Sequence, residues 1–253
     1  MTEMLDDATG ILDIMCSADK TEGLSGGRTT VVGLVLDRSG SMAGDLSKET
    51  IGAYNSTLQQ FRDKDWDNFD KDAEEEILVV ATVFDNEINV IRNGEDVQGV
   101  KDITESEAFP RGMTALFDAV GITVSTMKNV EGKYKDMAYL LVVMSDGQEN
   151  ASREYTHEDI KNIFDKGKEL GNWTFVFYGC EENSLTTMSK VGAFTTSYDA
   201  HNYSGTGGKH MLYASASYMS SRTKGLRSVD AWGEDTTGGD PHHSVTTTGG
   251  DNA

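Results

Sequence analysis

The chain has 253 residues, with 22 Lys and Arg against 42 Asp and Glu, a formal net charge of −20. Phosphate binding needs clustered Lys and Arg, so this balance excludes nucleic acid as a partner and argues against an anionic membrane surface. No run of about 18 apolar residues offers a membrane span, while 37% hydrophobic residues suffice for the core of one domain with arms.

Residues 1–28 read as an N-terminal arm, 29–224 as the folded domain and 225–253 as a Gly/Thr-rich tail, whose few large apolar side chains cannot offset its ordering entropy. In the arm, Met4, Ala8, Ile11 and Met15 follow at helical spacing and predict a short amphipathic helix, packed on its own domain or docked on a neighbouring subunit. No basic region precedes these apolar residues, which predicts cytoplasmic synthesis without a secretory signal. Gly23-Leu24-Ser25-Gly26-Gly27 reads as a linker; its Gly-x-Ser-x-Gly spacing precedes a strand, whereas a nucleophile elbow follows one.

Thr30–Leu36 is a continuous apolar run, the mark of a strand buried on both faces. Asp45–Phe61 predicts a helix with Ile51, Tyr54, Leu58 and Phe61 on one stripe. Ile77–Phe84 is a second buried strand, and Asp85-Asn86 turns it into an antiparallel edge, Ile88–Arg92. A helix over Thr114–Met127, a third buried strand over Met137–Ser145 and a helix from Thr156, capped with Asp159, to Leu170 follow, with Gly171 as its stop. Strands at Trp173–Tyr178 and Phe194–Tyr198 and a helix over Lys209–Arg222 close the domain. This alternation predicts an α/β fold of Rossmann-like, doubly wound kind, a mostly parallel sheet of about six strands with helices on both faces.

In such sheets ligands bind at the carboxyl ends of the strands, where the strand order reverses. Asp37-Arg38-Ser39-Gly40-Ser41 follows the first strand, Asp146-Gly147 follows the Met137–Ser145 strand, and Arg111-Gly112-Met113-Thr114 precedes a helix. Asp37, Ser39, Ser41, Thr114 and Asp146 are hard oxygen donors; two carboxylates neutralise a divalent cation, and neutral hydroxyls leave it able to accept an anionic oxygen from outside. Mg²⁺ suits this set, with Mn²⁺ or Ca²⁺ as alternatives. A second, weaker cation site is suggested by Asp63, Asp65, Asp67 and Glu74, at positions 1, 3, 5 and 12 of a calcium loop; the loop's usual Gly is Asn68, and a solvated acidic loop is the simpler reading.

Other chemistries fit less well. A dehalogenase-type phosphatase needs an Asp where Ser39 stands, no Gly-x4-Gly-Lys loop is present, and His157-Glu158 lacks the second His of a zinc protease. Cys16 and Cys180 read as two incidental buried thiols. Asn-x-Ser/Thr triplets at Asn55, Asn150, Asn172 and Asn202 read as chance.

Asp-x-Ser-x-Ser after a buried strand, a later Gly-x-Thr turn and an Asp-Gly after a third strand resemble the von Willebrand factor A (VWA) family, over about residues 29–222. The resemblance implies a metal-ion-dependent adhesion site (MIDAS). Ser39, Ser41 and Thr114 would reach the ion directly or through water, Asp37 and Asp146 would act mainly through water, and a partner's Asp or Glu would complete the shell. The stretches at 50–61, 83–91, 111–120 and 145–160 look like compact stand-alone VWA proteins of bacterial and phage genomes. The function implied is Mg²⁺-dependent protein binding, not catalysis; the alternative is a structural component, such as part of a virion, whose arms hold subunits of a homo-oligomer or larger assembly together.

Overall fold

A computed structural model describes residues 8–17, 25–64, 74–146, 149–179, 188, 193–197, 215–222 and 226. Helix α1 (Ala8–Cys16) leads into strand β1 (Ser25–Asp37), which is followed by a short 3-10 turn at Gly40–Met42 and by α2 (Asp45–Asp63). Then come β2 (Glu75–Phe84), β3 (Ile88–Asp96), α3 (Leu116–Lys128), β4 (Tyr134–Met144), α4 (His157–Leu170), β5 (Trp173–Gly179) and β6 (Phe194–Ser197). Residues 215–222 form a further helix, α5.

The strands form one six-stranded sheet in the order β3-β2-β1-β4-β5-β6. All neighbours run parallel except β3, an antiparallel edge on β2, as its short polar-flanked run predicts. Successive side chains on a strand point to opposite faces, so a strand covered on both sides must be apolar throughout. On β1, Val32, Leu34 and Leu36 join the core beneath α2 and α5, while Val31 and Val35 join the core beneath α1, α3 and α4. β4 divides in the same way, Leu140, Val142 and Met144 against Tyr139, Leu141 and Val143. Gly33 has no side chain because α3 lies close there: a Cβ would run into Met127.

The helices follow their stripes. Ile51, Tyr54, Leu58 and Phe61 of α2 are all buried. Thr156 and Asp159 form a reciprocal capping box on α4, and Gly171 ends it in the left-handed conformation at φ 67°. Ile11 and Met15 of α1 are buried on the domain itself, against α3 and α4; Met4 lies outside the described residues.

Some expectations need correction. Cys16 is exposed and free, because the face of α1 that sinks into the core is set by Ile11 and Met15; Cys180 lies outside the described residues. Ser25–Gly27, read as linker, are strand, paired with β4 across a register shift. Thr114 stands ahead of α3, not in it, since its amide and that of Ala115 donate outside the helix, to Asn150 Oδ1 and to the Asp85 carbonyl. Residues 209–214 of the last expected helix lie outside the described residues. Among the described residues no helix is long and apolar enough to cross a membrane.

Candidate functional site

The strand order reverses between β1 and β4, which pair up to Leu36 and Met144. The next residues along both strands therefore emerge side by side at the carboxyl edge: Asp37, then Ser145 and Asp146. Asp37 is 2% exposed. Its Oδ1 accepts the Ser39 amide at 2.6 Å and its Oδ2 accepts the Ser145 hydroxyl at 2.5 Å. Ser39 Oγ lies 3.0 Å from Ser41 Oγ, and the Ser41 hydroxyl donates to Asp146 Oδ1 at 2.9 Å. Asp37, Ser39, Ser41 and Asp146 thus form one continuous polar constellation from two strand ends.

Thr114 is brought to the same edge by its loop. Gly40 N–H donates to the Gly112 carbonyl at 3.2 Å and Arg111 N–H to the Arg38 carbonyl at 2.8 Å, so the segment before Thr114 is bonded to the segment holding the two serines. Gly112 has φ 69°, which a residue with a Cβ adopts only under strain. On its other side, the Thr114 carbonyl accepts the amides of Asn150 and Ala151.

The electrostatics favour a cation. Burial above all, with a smaller push from the neighbouring Asp146 charge, raises the Asp37 carboxyl to about 6, against the hydrogen bonds from Ser145 and Ser39 that stabilise its ionised form. Asp146 is also buried, at 7% exposure. Two carboxylates held together out of water, beside neutral hydroxyls, fit a hard divalent ion by charge and donor type. Among the described residues no three His, Cys, Asp or Glu side chains gather as a metal cluster; the constellation has only two carboxylates, and its remaining side-chain donors are hydroxyls.

Four supporting residues escape a motif reading. Asp85, 1% exposed at its side chain, accepts Arg38 Nε at 2.9 Å and Arg111 Nε at 2.8 Å, and its Oδ1 accepts the Glu87 amide. Arg38 also donates to the Glu107 carbonyl. Asp85 follows a buried strand as Asp37 and Asp146 do, which was the signal for it. Glu149 accepts the amides of Phe117, Ala151 and Ser152, and Asp118 those of Arg153, Glu154 and Tyr155, lacing the 149–155 loop to the start of α3. Ser145, beside Asp146, is the donor that holds Asp37.

The second acidic group is not assembled among the described residues. Asp63 lies in the last turn of α2, where it accepts Gln59 Nε2, Glu74 is exposed before β2, and Asp65 and Asp67 lie outside the described residues. His157 begins α4, its ring edge-on to Phe117.

No protein-family model matches the chain, and no curated protein matches it. Solved structures do. The PilB minor pilin from Streptococcus sanguinis matches with a TM-score of 0.50 at 11% identity, over 82% of this chain and 64% of that one. Proximal thread matrix protein 1 from the mussel byssus matches with a TM-score of 0.50 at 10% identity, over 76% of this chain and 47% of that one; it has also been solved with its MIDAS motif occupied by zinc. The VWA domain of SpRpn10 matches with a TM-score of 0.49 at 12% identity, over 75% of this chain and 95% of that one. The chain thus spans under two thirds of the pilin and about half of the thread protein. At these identities the likeness is one of fold alone: an α/β domain with a mostly parallel sheet between helices.

Proposed function

We propose that this chain is a non-catalytic protein-binding module that holds a divalent cation, Mg²⁺ in the first instance, at Asp37, Ser39, Ser41, Thr114 and Asp146, and through it captures a carboxylate of a protein partner. The observation that carries this is the constellation itself, two buried strand-end carboxylates linked from Asp37 through the Ser39 amide at 2.6 Å and the Ser39 and Ser41 hydroxyls at 2.9–3.0 Å to Asp146, with Thr114 tied alongside. When bound, the cation would supply positive charge and an open coordination position for one oxygen of the partner's Asp or Glu. Asp37 and Asp146 neutralise that charge, and Ser145 and the Ser39 amide orient Asp37. Ser39 and Ser41 donate neutral oxygens and leave the site electrophilic toward an anion. Asp85 and Glu149 do not ligate; they hold the loops that carry Arg111–Thr114 and the start of α3.

The test is direct titration of the metal-free chain with Mg²⁺ by calorimetry, and with Mn²⁺ by electron paramagnetic resonance. One site is expected, lost in Asp37→Ala and weakened about tenfold or more in Ser41→Ala. Binding that survives Asp37→Ala would falsify the assignment.

A further inference from the structure

Five large hydrophobic side chains stand exposed among the described residues, and two of them, Phe109 at 66% and Met113 at 53%, lie within five residues on the loop that delivers Thr114. Isolated exposed apolar residues are ordinary. Here, however, the exposure falls on the loop that carries Thr114, and that loop is held from beneath. Arg111 between them bonds Asp85 and Glu87, and the loop backbone bonds Arg38 and Gly40. A loop that is pinned while presenting Phe and Met to water keeps them in place for a partner at little further ordering cost. Phe, Met and Arg are also the residue types enriched at the centres of interfaces.

Charge indicates what the partner brings. In a chain of net charge −20, the segment 108–117 carries one arginine and no carboxylate, but Arg111 is already paired with Asp85 and Glu87, so the attraction for an acidic group here comes from the bound ion of the proposed site.

Resting on the proposed metal site, we infer that Phe109 and Met113 form an apolar rim whose occupant is a partner segment bearing an Asp or Glu with a large apolar residue beside it. The carboxylate goes to the ion and its apolar neighbour lies on Phe109 and Met113. This surface selects among acidic partners, a choice that the ion alone cannot make.

The test is selection of displayed peptides, random at four positions on either side of a fixed Asp or Glu, on the full chain in Mg²⁺. Large apolar residues should be enriched next to the acid, and a peptide so selected should bind roughly tenfold more tightly than its Ser-substituted form. In Phe109→Ser/Met113→Ser that preference should vanish; both side chains are exposed, so the variant keeps the fold. No enrichment, or enrichment that persists in the double variant, overturns the inference. So does failure to select any peptide by a chain that binds Mn²⁺, whereas a chain that binds no Mn²⁺ sinks the metal site and this inference with it. Mg²⁺-dependent dimers in sedimentation that require Phe109 and Met113 would put a second copy in the peptide's place and overturn the occupant.

Discussion

Asp37 must be ionised to hold a cation, yet its burial at the end of β1 pushes its carboxyl from the ordinary 3.8 up to about 6. A carboxyl raised in the fold is ionised there at a cost, so the metal-free protein should lose stability as pH rises from about 4 to 6 and not regain it above, by roughly 3 kcal/mol. Asp85 and Glu107 have the opposite sign. Burial is the largest single effect on each and raises it, but the Arg111 and Glu87 hydrogen bonds with the Arg38 and Arg111 charges for Asp85, and the Thr104 hydrogen bonds with Arg92 for Glu107, together outweigh it; their contribution is lost only on acidification below the ordinary carboxylate range. The two windows separate. In chelator, thermal midpoints should fall from pH 5 to pH 8, and Asp37→Asn should flatten most of that slope; Glu75, which burial raises against the pull of Arg28, and Glu49, also raised by burial, act in the same direction. A midpoint that rises over the same interval would contradict the assignment. For the metal the same group predicts proton competition: Mg²⁺ affinity, measured by calorimetry, should fall about tenfold per pH unit below about pH 6 and level off above it.

Elements carry the site through their ends, and the loop before α3 depends on one backbone angle. In Gly112→Ala, φ of 69° becomes strained and the new Cβ runs into Asn86 Oδ1. A cost of about 1–2 kcal/mol in urea unfolding is expected, with weaker Mg²⁺ binding as Thr114 shifts; adding Asn86→Ala should relieve the clash but leave the strain. At the start of α3, Glu149→Ala strands the Phe117, Ala151 and Ser152 amides and should cost about 1–3 kcal/mol by the same measurement. These dependencies show what was legible. Continuous apolar runs gave β1, β2, β4 and β5, because strands covered on both faces have no polar side to show. Position after a strand singled out Asp37 and Asp146, and the same rule applies to Asp85. What stayed hidden is closure: Arg38 meets Asp85, and Asp118 meets Tyr155, across 47 and 37 residues of sequence, and nothing in a local pattern says which loops will touch. The start of α3 moved past Thr114 for the same reason, its amide being taken by Asn150.

Across the whole molecule, the two ends of the sheet do different work. The carboxyl edge brings the Asp37 and Asp146 carboxylates together beside the ion pairs of Asp85 with Arg38 and Arg111. The amino edge carries a network around one arginine. There Arg222 of α5, fully buried, donates Nε to Thr30 Oγ1, one terminal nitrogen to Asp136 Oδ2 at 3.1 Å and the other to the Asp136 carbonyl at 3.0 Å, while its own carbonyl accepts Arg28. Its planar donor array ties α5 to β1 and β4 at once, and a lysine lacks the geometry to replace it. Asp136 is 31% exposed at its side chain, so water compensates part of any loss there. Arg222→Met should therefore cost about 2–4 kcal/mol, near the low end of breaking a buried pair. Thr30 lies seven residues before Asp37 on β1, about 23 Å along an extended strand, and among the described residues the hydrogen bonds of Arg222 go to Thr30, Asp136 and Leu226, away from Asp37 and Asp146. Mg²⁺ affinity of the folded fraction should then stay within about twofold of the parent, since sites without shared partners add independently. Calorimetric titration below the unfolding transition, beside urea unfolding of the same variant, separates the two quantities. A large loss of Mg²⁺ affinity in Arg222→Met would mean that α5 reaches the site through the sheet, and that stability and binding are not divided between its ends.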